Sequence, residues 1–103
     1  MHPIIKVGYV YILTNKANTT LYVGVTSELH TRIYKHKSNY YPNSFSARYK
    51  LKKLVYYRCF DTIQEAVWFE KKLKGGNRDN KINLICSLNP TWRDLSAEIY
   101  HFD

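Results

Sequence analysis

The sequence predicts an α/β domain in which a central three-stranded antiparallel sheet is flanked by helices, in the order β-β-α-β-α-α. Three observations carry that prediction. Two β-rich runs, Tyr9 to Leu13 and Leu21 to Gly24, flank a polar link from Thr14 to Thr20, a pattern that suits an antiparallel hairpin with a loop longer than the tightest turns. A third run, starting around Lys53 and continuing to Phe60, is rich in aromatic and branched residues. Helical apolar spacing with start and stop signals follows the hairpin and then follows the third run twice.

In the first strand, period-two alternation puts Tyr9 and Tyr11 on one face and Val10 and Ile12 on the other. Gly24 ends the second strand, either because the backbone needs an unusual angle or because another group approaches it closely. Ser27 is the expected N-cap of the first helix, with Glu28 in its first turn and Leu29 and Ile33 as its inward stripe as far as about Lys37. Arg32 and His36 share a face beside that stripe. Lys35 and Lys37 read first as solvated charge.

Ser38 to Lys50, with Pro42, Asn43 and several tyrosines, reads as a loop, and its part from Ser38 to Ser46 is the candidate mobile segment. The near-continuous apolarity of the third run suggests burial on both faces and a central place in the sheet, with a buried helical segment as the alternative. Thr62 and Glu65 form a capping box for a second helix that ends at Gly75-Gly76. Ile63, Ala66, Val67 and Leu73 share one arc of it, and Glu70 projects within about 20° of Ile63. An unpaired carboxylate in an apolar stripe costs several kcal/mol, so folding alone does not account for it. A third, shorter helix around Lys81 to Ile85 begins near Asn77 or Asp79 and stops at Asn89-Pro90. Trp92 and Leu95 then fold back as a clamp on the core, and Ile99 to Asp103 are expected to fray.

The 103 residues make one small domain, 1–103, with a single modest core. Sixteen Lys and Arg against eight Asp and Glu give a formal charge of +8, which points to polyanionic partners. Nucleic acid is the first of these, and a ribosome contact or an anionic membrane surface also fits the charge. Cys59 and Cys86 lack Cys or His neighbours at ligand spacing and read as free thiols. No apolar run approaches the roughly 20 residues of a membrane span, and Met1 to Ile5 lack a signal-peptide core, so a soluble cytoplasmic protein is expected.

Tyr9-Val10-Tyr11, Tyr22-Val23-Gly24, Arg32 eight positions after Gly24, His36 four after that and Glu70 downstream resemble the GIY-YIG nuclease superfamily. Phe45-Ser46-Ala47-Arg48-Tyr49, Leu54 to Tyr57, Glu70 to Gly75, Lys81 to Ile85 and Asn89 to Leu95 are similar to its small stand-alone bacterial branch, which is related to the catalytic domain of the excinuclease incision subunit. The resemblance implies divalent-metal-dependent hydrolysis of DNA phosphodiesters with Mg²⁺ or Mn²⁺. It implies Glu70 as the metal ligand, Arg32 as the clamp on the scissile phosphate, Tyr11 and Tyr22 as positioning or activating water, and His36 as assisting them. A single carboxylate with several retained waters is a normal Mg²⁺ mode, and a guanidinium spans two phosphate oxygens at once.

Each role has a structural rival. Glu70 answers also to a salt bridge with Arg32 or a lysine, and Arg32 to an ordinary solvated helix charge. Tyr11 and Tyr22 answer to plain strand aromatics in a chain of ten tyrosines. Asn89 is read as a helix stop. Arg48 and Tyr49, with Lys35, are candidate nucleic-acid contacts, through a phosphate or a stacked unpaired base.

The match has departures. Tyr9 stands where the motif has glycine, with Gly8 one position earlier, and Val25 where some repair relatives have lysine. Gly76 stands where the branch often has tryptophan and Lys50 where it often has asparagine. With no attached recognition domain in the sequence, cleavage is expected to be structure-selective or weakly sequence-specific, unless a protein partner supplies the target. The rival to a nuclease is a non-catalytic nucleic-acid-binding or repair-accessory module of the same fold, and a structural protein using exposed tyrosines is a third reading.

Overall fold

A computed structural model describes residues 6–100. Its elements are β1 (Gly8–Thr14), β2 (Leu21–Thr26), α1 (Leu29–Lys37), α2 (Phe45–Arg48), β3 (Lys53–Phe60), α3 (Ile63–Gly75), α4 (Arg78–Leu88) and α5 (Ser96–Tyr100). The expected three-stranded antiparallel sheet with flanking helices is present, and α2 and α5 are added where a loop and a fraying tail were expected. The polar link of the hairpin is held by Asn15, whose Oδ1 accepts from the backbone N–H groups of Thr19 and Thr20.

The strand order is β2-β1-β3, so β1 is central and β3, expected there, lies at an edge. A bulge explains the apolar run that suggested otherwise. Ile12 pairs with Tyr56 but Leu13 pairs with Leu54, which makes Val55 an extra residue in β3. Val55 and Tyr56 therefore both join the core on one face of the sheet, while Leu54 joins the core on the other. The edge of β3 is then covered by the tail: Leu95 N–H donates to the Leu54 carbonyl at 2.7 Å, and Asn89 Nδ2 to the Val55 carbonyl at 3.2 Å.

In place of the single core expected there are two, one on each face of the sheet; the first holds Val10, Ile12, Val23, Val55 and Tyr56 under Ala66 and Leu73 of α3 and Ile85 of α4. The other holds Tyr11, Leu13 and Leu54 under Leu29 and Ile33 of α1, with Leu51, Leu95 and Ile99. Trp92 packs against the first and Leu95 lies inside the second, so the tail clamps both faces. Ile99 is buried rather than frayed, because α5 packs against α1. Residues 101–103, and the 1–5 segment on which the signal-peptide reading rests, lie outside the described residues.

Four local expectations change. The second strand runs past Gly24 to Thr26, and Glu28 rather than Ser27 caps α1, without a side-chain bond; Thr26 Oγ1 instead accepts from Glu28 N–H. The loop from Ser38 contains α2, capped by Ser44 Oγ, which accepts from Ala47 N–H. Lys37 is not merely solvated: its Nζ donates to the Lys52 carbonyl and to Asp94 Oδ2, both at 2.7 Å.

The α3 and α4 starts follow the sequence closely. Thr62 Oγ1 accepts from Glu65 N–H, and Asn77 Oδ1 from Asn80 N–H. Gly8 lets α3 lie on β1 at contact distance, since a Cβ there would be 2.6 Å from Ala66 Cβ and 2.8 Å from Ile63 Cα. That contact sets where Glu70 stands relative to the sheet. The glycines at the α3 end do not leave it loose, because Gly76 N–H donates to the Leu73 carbonyl and Lys81 Nζ to the Gly76 carbonyl.

Asn89 is buried and does more than stop α4. Its Nδ2 donates to the carbonyls of Val55 and Arg93, and its Oδ1 accepts from Arg93 N–H. Asn89→Ala strands these backbone groups, so it is expected to cost about 2–3 kcal/mol in urea-induced unfolding; an unchanged midpoint would contradict this clamp.

Candidate active site

Tyr11 on β1 lies opposite Gly24 on β2. A Cβ on Gly24 would sit 2.4 Å from both Cζ and Oη of Tyr11. The ring therefore reclines across the glycine, and of the two readings of Gly24, close approach is the correct one; no glycine among the described residues has a positive φ. This posture carries the Tyr11 hydroxyl to α1, 3.1 Å from His36 Nε2. Tyr22 completes a triangle of rings, 6.3 Å from Tyr11 and 5.8 Å from His36 between centroids, with Tyr11 and His36 also 5.8 Å apart.

His36 Nδ1 faces Ser46 Oγ at 2.8 Å, and Ser46 Oγ lies 3.2 Å from Ser44 Oγ. Burial, and then the positive charge of Arg32, lowers the His36 pKa to about 4, so the imidazole is neutral at pH 7. Burial, and then Tyr22 beside it, pushes the Tyr11 phenol well above its ordinary value; Arg32 pulls it down and Glu70 pushes it further up. A protonated phenol facing a neutral imidazole donates to Nε2, leaving Nδ1–H to donate to Ser46. The chain of bonds thus runs from Tyr11 through His36 to Ser46 and Ser44.

Protonation of His36 opposes folding. Between about pH 6.5 and pH 4 the unfolded chain binds a proton that the folded one refuses, so this contribution to stability is complete above 6.5 and is lost as pH falls toward 4. His36→Gln is expected to flatten that part of the stability profile in urea titrations at several pH values. An identical slope in both proteins would contradict the lowered pKa.

Arg32 lies one turn before His36 on α1, half-buried, and forms no ion pair among the described residues. Its charge reaches both Tyr11 and His36. Glu70 comes from α3, and its charge also reaches Tyr11. Its Oε2 pairs with Lys74 Nζ at 2.8 Å, so the lysine salt bridge of the rival reading does form. Lys74 is half-exposed, however, and such an i,i+4 pair is worth only about 0.3–0.5 kcal/mol, too little to account for a carboxylate that is 13% exposed. Tyr11, Tyr22 and His36 are thus in direct contact, with Arg32 and Glu70 close enough to act on Tyr11.

The expected nucleic-acid contacts divide. Tyr49 packs on Phe45 at 4.6 Å, and Phe45 stacks on Tyr22 at 6.4 Å, so an aromatic ladder leads from the site to the surface, where Phe45 is 49% exposed. Arg48 is exposed beside it. Lys35 instead caps the rings of Tyr40 and Tyr41, at 4.8 and 6.0 Å, apart from the tyrosine triangle.

Ser46 and Lys74 join the site with no role read for them from the sequence, and Phe45, one of the two aromatics that flank Arg48 in the sequence motif, joins it as the middle of the ladder. Lys74 was readable as the i,i+4 partner of Glu70. Its Nζ also lies 6.0 Å from the Tyr22 ring centroid, and Tyr22, Phe45, Lys74 and Lys81 border a concavity of about 350 Å³. A larger concavity of about 880 Å³, between α3, α4 and the end of β3, is lined by none of these site residues. Among the described residues no three His, Cys, Asp or Glu side chains cluster as metal ligands, and no helix is long and apolar enough to cross a membrane.

The family model described as the GIY-YIG catalytic domain matches residues 7–83. The fold is similar to the solution structure of a UPF0213 protein from Bacillus halodurans, with a TM-score of 0.54 and 28% sequence identity over 85% of this chain and 92% of that one. No curated protein matches the sequence at a significant level.

Proposed function

The chain belongs to the GIY-YIG catalytic domain family, a family of nucleases, and from that premise we propose that it is a divalent-metal-dependent endonuclease hydrolysing DNA phosphodiester bonds. The observation that carries the proposal is the convergence of two phenols and a neutral imidazole with an arginine that has no ion pair among the described residues and a nearly buried glutamate, drawn from opposite faces of the sheet. A packed core has no need of that combination.

Glu70 fits a hard cation that keeps most of its water: one oxygen pairs with Lys74, and the other has no protein partner among the described residues. Bound there, Mg²⁺ or Mn²⁺ would supply Lewis-acid polarisation of the phosphodiester. Arg32 holds the phosphate through two oxygens and offsets the charge that builds on it. Tyr22, half-buried beside the concavity, is the phenol that meets the attacking water, while Tyr11, 1% exposed, is held by His36 and orients Tyr22 from behind. The Tyr22, Phe45 and Tyr49 ladder suits an unpaired or distorted base better than regular duplex, which supports structure-selective cleavage.

Glu70→Ala separates this reading from a non-catalytic binding module. Metal-dependent turnover is expected to fall below detection, while the affinity for labelled DNA in anisotropy titrations stays equal or rises with the loss of a negative charge. Turnover that survives Glu70→Ala would overturn the assignment.

A further inference from the structure

Away from the tyrosines, Lys16, Lys37, Lys50, Lys52 and Lys53 surround a concavity of about 330 Å³ with one carboxylate, Asp94. That carboxylate is already spent. It pairs with Lys37 Nζ and accepts from Leu54 N–H and from the backbone and hydroxyl of Ser96. Burial alone would raise its pKa, and these bonds from Lys37, Ser96 and Leu54 outweigh it and hold the group ionised. Lys16, Lys50, Lys52 and Lys53 have no ion pair among the described residues, so four like charges face one hollow unneutralised.

The backbone adds a second, independent observation. Lys50 has φ 57°, in the left-handed region that asparagine or glycine occupies at lower cost. The turn is fixed by Leu51 N–H donating to the Ser46 carbonyl and Lys52 N–H to the Lys50 carbonyl. A lysine held against its conformational preference marks a constrained position at the rim of the lysine cluster.

Resting on the nucleic-acid reading above, we infer that this hollow is a second phosphate-binding site that grips the strand leading away from the scissile phosphate. Its position suits that task. Lys53 pairs with Thr14, three residues along β1 from Tyr11, a rise of about 10 Å. That is about three phosphates along one strand of a duplex. Lys37 directly follows His36 on α1, so the hollow and the tyrosine site share one helix end. The ligand is a run of phosphodiesters and not a single anion, because the hollow is open and lined by lysines and Asp94, with no guanidinium to grip one anion through two oxygens.

The test compares K50Q/K52Q/K53Q with K6Q/K71Q/K72Q, which removes the same charge elsewhere. Lys37 is left intact because it holds Asp94. Binding of a labelled 20-nucleotide strand is followed by anisotropy from low to moderate salt. The cluster triple is expected to flatten the slope of log affinity against log salt by about 2, and the control triple by much less. Lys50→Asn alone is expected to weaken binding while its melting temperature stays equal or rises, which separates contact from folding. In plasmid nicking, the cluster triple raises KM and leaves kcat unchanged. Equal losses in the two triples would overturn the inference in favour of net charge. Cluster-dependent capture by phosphatidylglycerol vesicles without strand binding would overturn it in favour of a membrane surface. Cluster-dependent strand binding by a protein that never nicks would uphold the phosphate site and overturn the nuclease reading.

Discussion

Gly24→Ala is expected to reduce nicking about 100-fold or more while the chain still folds. The added methyl would lie 2.4 Å from Tyr11 Cζ and Oη, inside any real contact distance. Tyr11 is 1% exposed and packed with Leu13, Leu29 and Ile33, so its ring has little room to retreat. Overpacking of this kind costs about 1–3 kcal/mol. More important for function, the hydroxyl must leave its 3.1 Å bond to His36, and the tyrosine triangle opens. Thermal melting and plasmid nicking on the same preparations check both parts. Tyr11→Phe, which keeps the ring and removes only the hydroxyl, should melt near the native protein and nick slowly. A Gly24→Ala protein with native activity would show that the reclined posture of Tyr11 has no catalytic consequence.

Arg32→Ala is expected to lower kcat by about 10²–10³, the loss seen when one preorganised donor to developing oxyanion charge is removed. Arg32→Lys should recover only part of this, because an ammonium meets one phosphate oxygen where a guanidinium meets two. The same substitution leaves a mark independent of turnover. The Arg32 charge helps to lower the His36 pKa, so in Arg32→Ala the imidazole is expected to titrate above about 4, read from its ring-proton shifts by NMR. An unmoved His36 titration would place the guanidinium away from the site. Native kcat in Arg32→Ala would remove it from the mechanism.

The sequence carried much of this architecture because its local signals agree with one another. Alternation in Tyr9 to Leu13 separated the aromatic face from the aliphatic one, and the Thr62 and Asn77 caps marked where α3 and α4 begin. The edge position of β3 was hidden by Val55, since a bulge turns an alternating strand into a continuous apolar run. The helix α2 was hidden because four residues give no periodicity to read, and its signal was confined to the Ser44 cap. Among site residues, Glu70 announced itself as an acid in an apolar arc. Ser46 did not, because a buried serine on His36 is defined only once α2 has folded against α1. The reason for Gly24 was also out of reach, since the ring that needs the space belongs to the neighbouring strand.

The central claim is that Glu70 and Arg32 act on one scissile phosphate. The most direct measurement is nicking of supercoiled plasmid in Mg²⁺, Mn²⁺ or chelator by the native protein, Glu70→Ala and Arg32→Ala, purified identically. Nicking by the native protein that requires the metal and disappears in both variants is the predicted result. Equal nicking by all three, or nicking that persists in chelator, would contradict it.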